Sequence, residues 1–300
     1  MQKIESFYKN YELLDSGDGR RLERLGEYIV DRPAPQTMLD RRLDSFVWNR
    51  ANFKFDNGVW VDNNDKELES EVKWTLEVAD VTFNLKLSQN GQVGIFPEQI
   101  VNWAWLENLI SEHLKTSGTK FYSAENKFNI INTFAYTGGS SLFPASAAKN
   151  FPSEICHVDG SKSAVNWAGE NAKTNGLTNI RWIVDDVLTF LKREVKRGKY
   201  YDGIILDPPA FGRGGKNKTW TFNKDLGDLL TASKELLSPA GPLFFMISCH
   251  DINMTTAELR EVTSNTLNIP DRFIETLELN IPSNRGNPLS CGVCARFKKS

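Results

Sequence analysis

The apolar run Tyr201-Asp202-Gly203-Ile204-Ile205-Leu206 stops at Asp207-Pro208-Pro209-Ala210, with Phe211 next. Such a run predicts a buried strand, and the stop puts a carboxylate, rigid carbonyls and an aromatic ring at its carboxyl end. In an open α/β sheet, ligands bind at that edge. The two prolines fix φ and keep the preceding residues extended, which predicts carbonyls there free of helix or ladder partners. Fixed acceptors beside a ring can hold a flat group carrying N–H donors while it reacts. The plain alternative is a strand followed by a proline-rich turn. Asp207, Pro208, Pro209 and Phe211 are the candidate reaction-site residues.

Three other strand ends carry candidate ligand-binding groups. Phe134-Ala135-Tyr136-Thr137-Gly138-Gly139 turns from a strand into a helix. Its glycines admit close backbone approach, and unpaired helix N–H groups follow. The Gly-x-Gly-x-x-Gly spacing that seats a dinucleotide pyrophosphate is absent, which disfavours a nicotinamide dehydrogenase. Asp159 ends the next strand, where a carboxylate can accept both hydroxyls of a ribose. Asp185, with Asp186 beside it, ends the third, where a carboxylate can take an adenine amino group. For each acid the alternative is an N-cap of the following helix. Together, the glycine turn, Asp159, Asp185 and Asp207 at successive strand ends predict a site for S-adenosyl-L-methionine (SAM).

The elements needed to position these residues are legible. From Asn129 onward the chain alternates strand, turn and helix, with strands at 129–134, 155–159, 180–185, 201–207 and 243–248. That rhythm predicts a parallel sheet with helices on both faces. Two closing strands, Phe273–Leu279 and Cys291–Phe297, are joined by a loop too short for a crossover helix, so the last should run antiparallel. The expected fold class is α/β: a Rossmann-like, seven-stranded class I methyltransferase sheet with an antiparallel last strand. Before it, short strands and the turn clusters Asp15-Ser16-Gly17-Asp18-Gly19, Asn57-Gly58 and Asn63-Asn64-Asp65 predict a small β-rich N-terminal module over residues 1–97, with the SAM-binding domain at 98–300. Pro97 opens a helix to about His113, with Ile100, Trp103, Leu106 and Ile110 on one face.

Composition narrows the class. The 300 residues are 40% hydrophobic and 25% charged, with net charge -2, so no global basic field advertises nucleic acid. Four cysteines are too few and too scattered for a disulfide framework. No apolar stretch is of membrane-spanning length, and the first residues lack a signal-peptide core, so a cytoplasmic address is expected. Cys291-Gly292-Val293-Cys294 has knuckle spacing but no second ligand pair, and no metal is expected.

The segments Phe134–Gly139, Val158–Lys162, Trp167–Asn171 and Leu206–Gly212 closely resemble the SAM-dependent methyltransferases related to the bacterial large-subunit (23S) ribosomal RNA cytosine-C5 methyltransferases. Leu14-Asp15-Ser16-Gly17-Asp18-Gly19 and Gly94-Ile95-Phe96-Pro97-Glu98-Gln99 are similar to the shorter branch of that family. The resemblance implies a class I fold, SAM as methyl donor and an RNA base as acceptor. It also implies that Phe96 and Gln99 belong to a segment covering the cofactor, joining Phe134, Tyr136, Thr137, Gly138, Gly139, Asp159, Asp185, Asp186 and Asp207.

The atom methylated stays open at this point. Asp-Pro-Pro-x-aromatic resembles the motif of enzymes that methylate amino nitrogens. Carbon 5 of cytosine instead needs a thiolate at carbon 6, and Cys249 stands where the ribosomal relatives carry that cysteine, with His250 placed to help ionise it. A buried structural Cys249 is the alternative. Arg213 to Trp220 forms a basic loop with an aromatic that can grip phosphates and a base, or is a solvated loop. The competing functions are a protein or small-molecule N-methyltransferase and a non-catalytic SAM- or RNA-binding module.

Overall fold

The computed structural model describes residues 4–118, 121–213 and 219–299. Most of the basic loop, Gly214 to Lys218, lies outside the described residues. The chain forms two compact units: Met1–Ala104 with Leu279–Cys291, and Trp105–Glu278 with Gly292–Ser300.

In the first unit, β1 (Tyr11–Gly17), β2 (Arg20–Leu25), β3 (Tyr28–Pro33), β4 (Phe53–Asp56) and β5 (Val59–Asp62) make one sheet in sequential order. The turn expected over Asp15–Gly19 is confined to Asp18-Gly19, because Asp15, Ser16 and Gly17 extend β1, whereas Asn57-Gly58 turns as expected. Asp18-Gly19 and Asn57-Gly58 both hold positive φ at their two central residues, as a primed turn requires. A second hairpin, β6 (Lys73–Val78) and β7 (Val81–Lys86), alternates buried and more exposed residues at period two. β3 and β4 are parallel, so a longer connection is needed. It contains the short α1 (Ser45–Trp48).

That connection is organised by Asp15, which is fully buried. Its Oδ2 accepts from the backbone N–H groups of Arg42 (3.0 Å) and Leu43 (2.8 Å) and from the Trp48 indole (3.1 Å). Its Oδ1 accepts from the N–H groups of Ser16 (2.9 Å) and Asn287 (2.7 Å). One carboxylate thus ties a strand, a loop and a segment near the far end of the chain. A Cβ on Gly286 would collide with Asp15 Oδ1, so glycine is needed there. Nearby, buried Glu23 accepts from Tyr11 (2.8 Å) and Arg32 (2.7 Å). Burial works to raise the Glu23 pKa, but Arg21 and Arg32 outweigh it and hold the pKa down.

α2 (Ile100–His113) runs from the first unit into the second and buries Ile100, Trp103, Leu106 and Ile110, as its pattern predicts. The second unit carries β8 (Phe128–Thr133), β9 (Ser153–Asp159), β10 (Ile180–Val184), β11 (Gly203–Leu206) and β14 (Phe244–Cys249) as parallel strands. β12 (Phe211–Arg213) and β13 (Thr219–Thr221) form a small antiparallel hairpin. With β15 (Glu275–Ile281) and β16 (Leu289–Lys298), the main sheet has seven strands in the order β10-β9-β8-β11-β14-β16-β15, and β16 is antiparallel to β14. Helices α3 (Gly139–Ala147), α4 (Lys162–Thr174), α5 (Val187–Lys196), α6 (Phe222–Leu236) and α7 (Thr256–Leu267) link the strands. β11 and β14 are buried throughout, as both-face coverage requires. Strand order reverses between β8 and β11, and the carboxyl ends of these two strands flank the switch point where such sheets bind ligands. Among the described residues no helix is long and apolar enough to cross a membrane, and no group of three or more His, Cys, Asp or Glu is placed to hold a metal.

Candidate active site

The first strand-to-helix turn follows β8. Phe134, Tyr136 and Gly138 take φ of 53°, 47° and 98°, alternating with residues of negative φ. Two aromatic residues in the left-handed region cost roughly 1–3 kcal/mol each, a strain that collects at functional turns. The Tyr136 N–H donates to Asp159 Oδ2 at 2.8 Å, so the turn folds around that carboxylate. Gly138 is the N-cap of α3, with no side chain capping the helix. A Cβ on Gly138 would stand 3.1 Å from the Ala168 Cβ, in addition to the strained φ, so the turn closes against α4. Buried Thr137 is fixed through its carbonyl, which accepts from Asn171 of α4 at 2.9 Å. Gly139 begins α3 and is buried.

Asp159, at the end of β9, also accepts from the Ser161 N–H at 2.8 Å. Burial raises its pKa, opposed by the two N–H donors. A carboxylate has about four lone-pair positions, so two turn contacts leave capacity for a ligand. The N-cap of the following helix is Ser161 and not Asp159. At the next strand end the two acids divide the work. Asp186 is the N-cap of α5, accepting from the Thr189 N–H at 3.0 Å, which realises the capping alternative. Asp185 pairs with Arg193 of α5 and accepts from the Asp186 N–H at 2.9 Å.

Asp207 follows β11, and its N–H reaches the Thr133 carbonyl of β8 at 3.3 Å, across the switch point. Its Oδ1 lies 2.8 Å from His250 Nε2. Pro208 is buried. The carbonyls of the next two residues are held by partners outside any helix or ladder. Pro209 accepts from the Trp220 indole at 2.7 Å, and Ala210 from the Phe222 N–H at 3.1 Å. The cause is β12–β13, which folds back over the prolines. Trp220 is buried, and its ring lies 4.9 Å from that of Phe134, so one indole braces both edges of the switch point. Phe211 begins this hairpin and is 63% exposed, available to stack on a planar ligand.

The surroundings of Cys249 are those of the structural alternative. Cys249 is fully buried in the apolar cluster of the sheet, and burial pushes its thiol pKa up to about 11. His250 does not serve the thiol but turns to Asp207. Phe96 and Gln99 lie in the first unit. Phe96 caps a short turn, Pro97–Gln99, and buried Gln99 accepts from Asn102 Nδ2 at 2.7 Å. Two groups escaped the sequence reading as site components: His250 as the partner of Asp207, and Trp220 as a brace. The available signal for His250 was that adjacent parallel strands deliver the residues after them to one edge.

No family model matches the chain. The large-subunit ribosomal RNA methyltransferase I of Aeromonas salmonicida is 30% identical over 163 residues, 54% of this chain and 39% of the relative. The large-subunit ribosomal RNA methyltransferase K/L of Shewanella frigidimarina is 31% identical over 144 residues, 47% of this chain and 20% of the relative. The chain thus spans from a fifth to two fifths of the length of these curated relatives. The crystal structure of a SAM-dependent methyltransferase from Agrobacterium tumefaciens superposes with a TM-score of 0.82 at 32% identity, covering 97% of this chain and 91% of that one. Agreement over nearly the whole of both chains, on a sheet with the class I strand order, means that this chain belongs to the SAM-dependent methyltransferases.

Proposed function

We propose that this enzyme methylates an RNA base, and that the acceptor atom is an exocyclic amino nitrogen. The observation that carries the choice of nitrogen is the contrast between Cys249 and Asp207. Methylation at cytosine carbon 5 requires a thiolate, and the Cys249 thiol is buried and held protonated by its surroundings. An amino nitrogen needs no covalent activation, only an acceptor for its N–H and a surface for its ring. Asp207 and exposed Phe211 suit those two tasks. Stacking on an aromatic side chain is worth about 1–3 kcal/mol per base, enough to hold a base flipped out of its stack.

The residues present fit SAM. The turn of positive-φ residues wraps the half-buried carboxylate of Asp159, and the start of α3, which has no side-chain cap, follows it. When bound, SAM supplies an electrophilic methyl group on a sulfonium. In this reading Gly138 and Gly139 give the cofactor's amino-acid end access to backbone, and Phe134, Tyr136 and Thr137 shape that turn. Asp159 takes the ribose hydroxyls and Asp185 the adenine edge, with Asp186 holding α5 in place behind it. Phe96 and Gln99 are assigned to the cofactor on the family resemblance.

RNA as substrate is supported by the curated relatives, both large-subunit ribosomal RNA methyltransferases. A cytoplasmic address goes with such a substrate. The net charge of -2 requires any phosphate grip to be local, and it favours a second reading in which a protein or small-molecule amine is the acceptor. Incubating the purified enzyme and methyl-labelled SAM with fractionated extract from cells lacking the gene separates the two. Label in RNA is expected. Label confined to protein or small molecules would sink the RNA reading while sparing the enzyme class.

A further inference from the structure

We infer that His250 is a positioning residue of the transfer site, holding the Asp207 carboxylate for its contact with the acceptor; this rests on the reading of Asp207 above. β11 and β14 are neighbours in parallel register, with Leu206 opposite Ile247, so the residues following each strand emerge at one edge. Side chains alternate along an extended chain. Cys249 turns into the core, and the next residue, His250, reaches Asp207 at 2.8 Å. A carboxylate only accepts, so in this bond Nε2 is the donor to Asp207 Oδ1. The side chains of His250 and Asp207 are 27% and 19% exposed, so the pair is partly shielded from water.

The loop bearing His250 is itself built in. Asp251 Oδ2 accepts from Asn223 Nδ2 of α6 at 3.2 Å, and Asp251 Oδ1 accepts from the Asn253 N–H at 2.9 Å. From beneath, Gly292 of β16 packs so closely that a Cβ there would run into the Cys249 carbonyl and stand 3.1 Å from the His250 Cα. Strand, helix and loop all converge on the placement of one imidazole against one carboxylate. This uses Asp207 Oδ1 as a fixed anchor, so the carboxylate is oriented before the acceptor arrives. Such orientation affects turnover more than cofactor binding.

The test compares the full-length wild type with His250→Ala, His250→Gln, Asp207→Ala and the Asp207→Ala/His250→Ala double variant. The probe is methyl-labelled SAM with whichever extract fraction takes label from the wild-type enzyme. His250→Ala should lower kcat at least tenfold with the SAM Kd within threefold. His250→Gln, whose amide can donate to Asp207, should recover most of the loss. In the double variant the effects should not multiply, because His250 acts through Asp207. An activity-independent readout is the imidazole nitrogen NMR spectrum, assignable because the chain has three histidines. The His250 signal should shift in Asp207→Ala, and no shift would overturn the pairing even if His250→Ala fails to fold. Wild-type turnover in His250→Ala or multiplicative effects in the double variant would overturn the inference alone. Wild-type turnover in Asp207→Ala would overturn the underlying reading.

Discussion

Cys249 and Asp207 end neighbouring strands and have opposite surroundings. The thiol, with its pKa near 11, is roughly one-thousandth ionised at pH 8, whereas a working nucleophile needs its thiolate. Cys249→Ser should therefore leave turnover within about threefold of wild type, and native Cys249 should resist thiol reagents until the protein unfolds. Loss of activity in that variant, with SAM still bound, would restore the carbon-5 route. Asp159 is the sharpest test of cofactor placement. A carboxylate accepting from ligand hydroxyls is worth about 1.5–3 kcal/mol, so Asp159→Ala should raise the SAM Kd by roughly 10- to 100-fold in calorimetric titration. His157, packed at a tilt against Trp182 and bonded to Ser141, has its pKa pushed down to about 3 by burial. Between about pH 6.5 and 3 the unfolded chain binds a proton there that the native state refuses. Its contribution is thus fully present above pH 6.5 and falls by about 1.4 kcal/mol per pH unit below it. A His157→Gln variant should show a shallower loss of stability across that window in denaturant titrations at stepped pH.

Among the elements, hairpins and strand ends were the legible part, since both depend on residues close in sequence. Asp18-Gly19 and Asn57-Gly58 make the turns their composition requires, and Asp186 caps α5 as an acid before a helix commonly does. Asp15 shows where that local logic runs out. Beside glycines it reads as one more turn residue, yet its partners are Arg42, Leu43, Trp48 and Asn287. Nothing local marks a carboxylate whose donors come from so far along the chain. The same holds for the Pro209 carbonyl, which the isolated motif leaves open and Trp220 occupies. Removing Asp15 would strand several buried donors at about 1–3 kcal/mol each. Asp15→Ala should therefore lower unfolding stability by at least about 3 kcal/mol, with Glu69→Ala, whose side chain is 82% exposed, within about 0.5 kcal/mol of wild type. Equal effects in urea titrations of the two variants would contradict the role given to Asp15.

For the whole molecule, the βα alternation and the short final loop were enough to anticipate the class I sheet, because each strand advertises its burial and each crossover its length. The inclusion of Leu279–Cys291 in the first unit had no such signal, since it depends on tertiary partners such as Asp15. At this scale the sheet brings Asp207 and His250 together at one edge, with exposed Phe211 close behind in sequence, while Cys249 stays in the core; the proposal under test is that this edge methylates an amino nitrogen. The most direct measurement is mass spectrometry of nucleosides from RNA methylated by the purified enzyme, using RNA from cells lacking the gene as acceptor. A base methylated on its exocyclic nitrogen, formed equally well by Cys249→Ser, is the expected product. A product of 5-methylcytidine, lost in Cys249→Ser, would contradict the proposal.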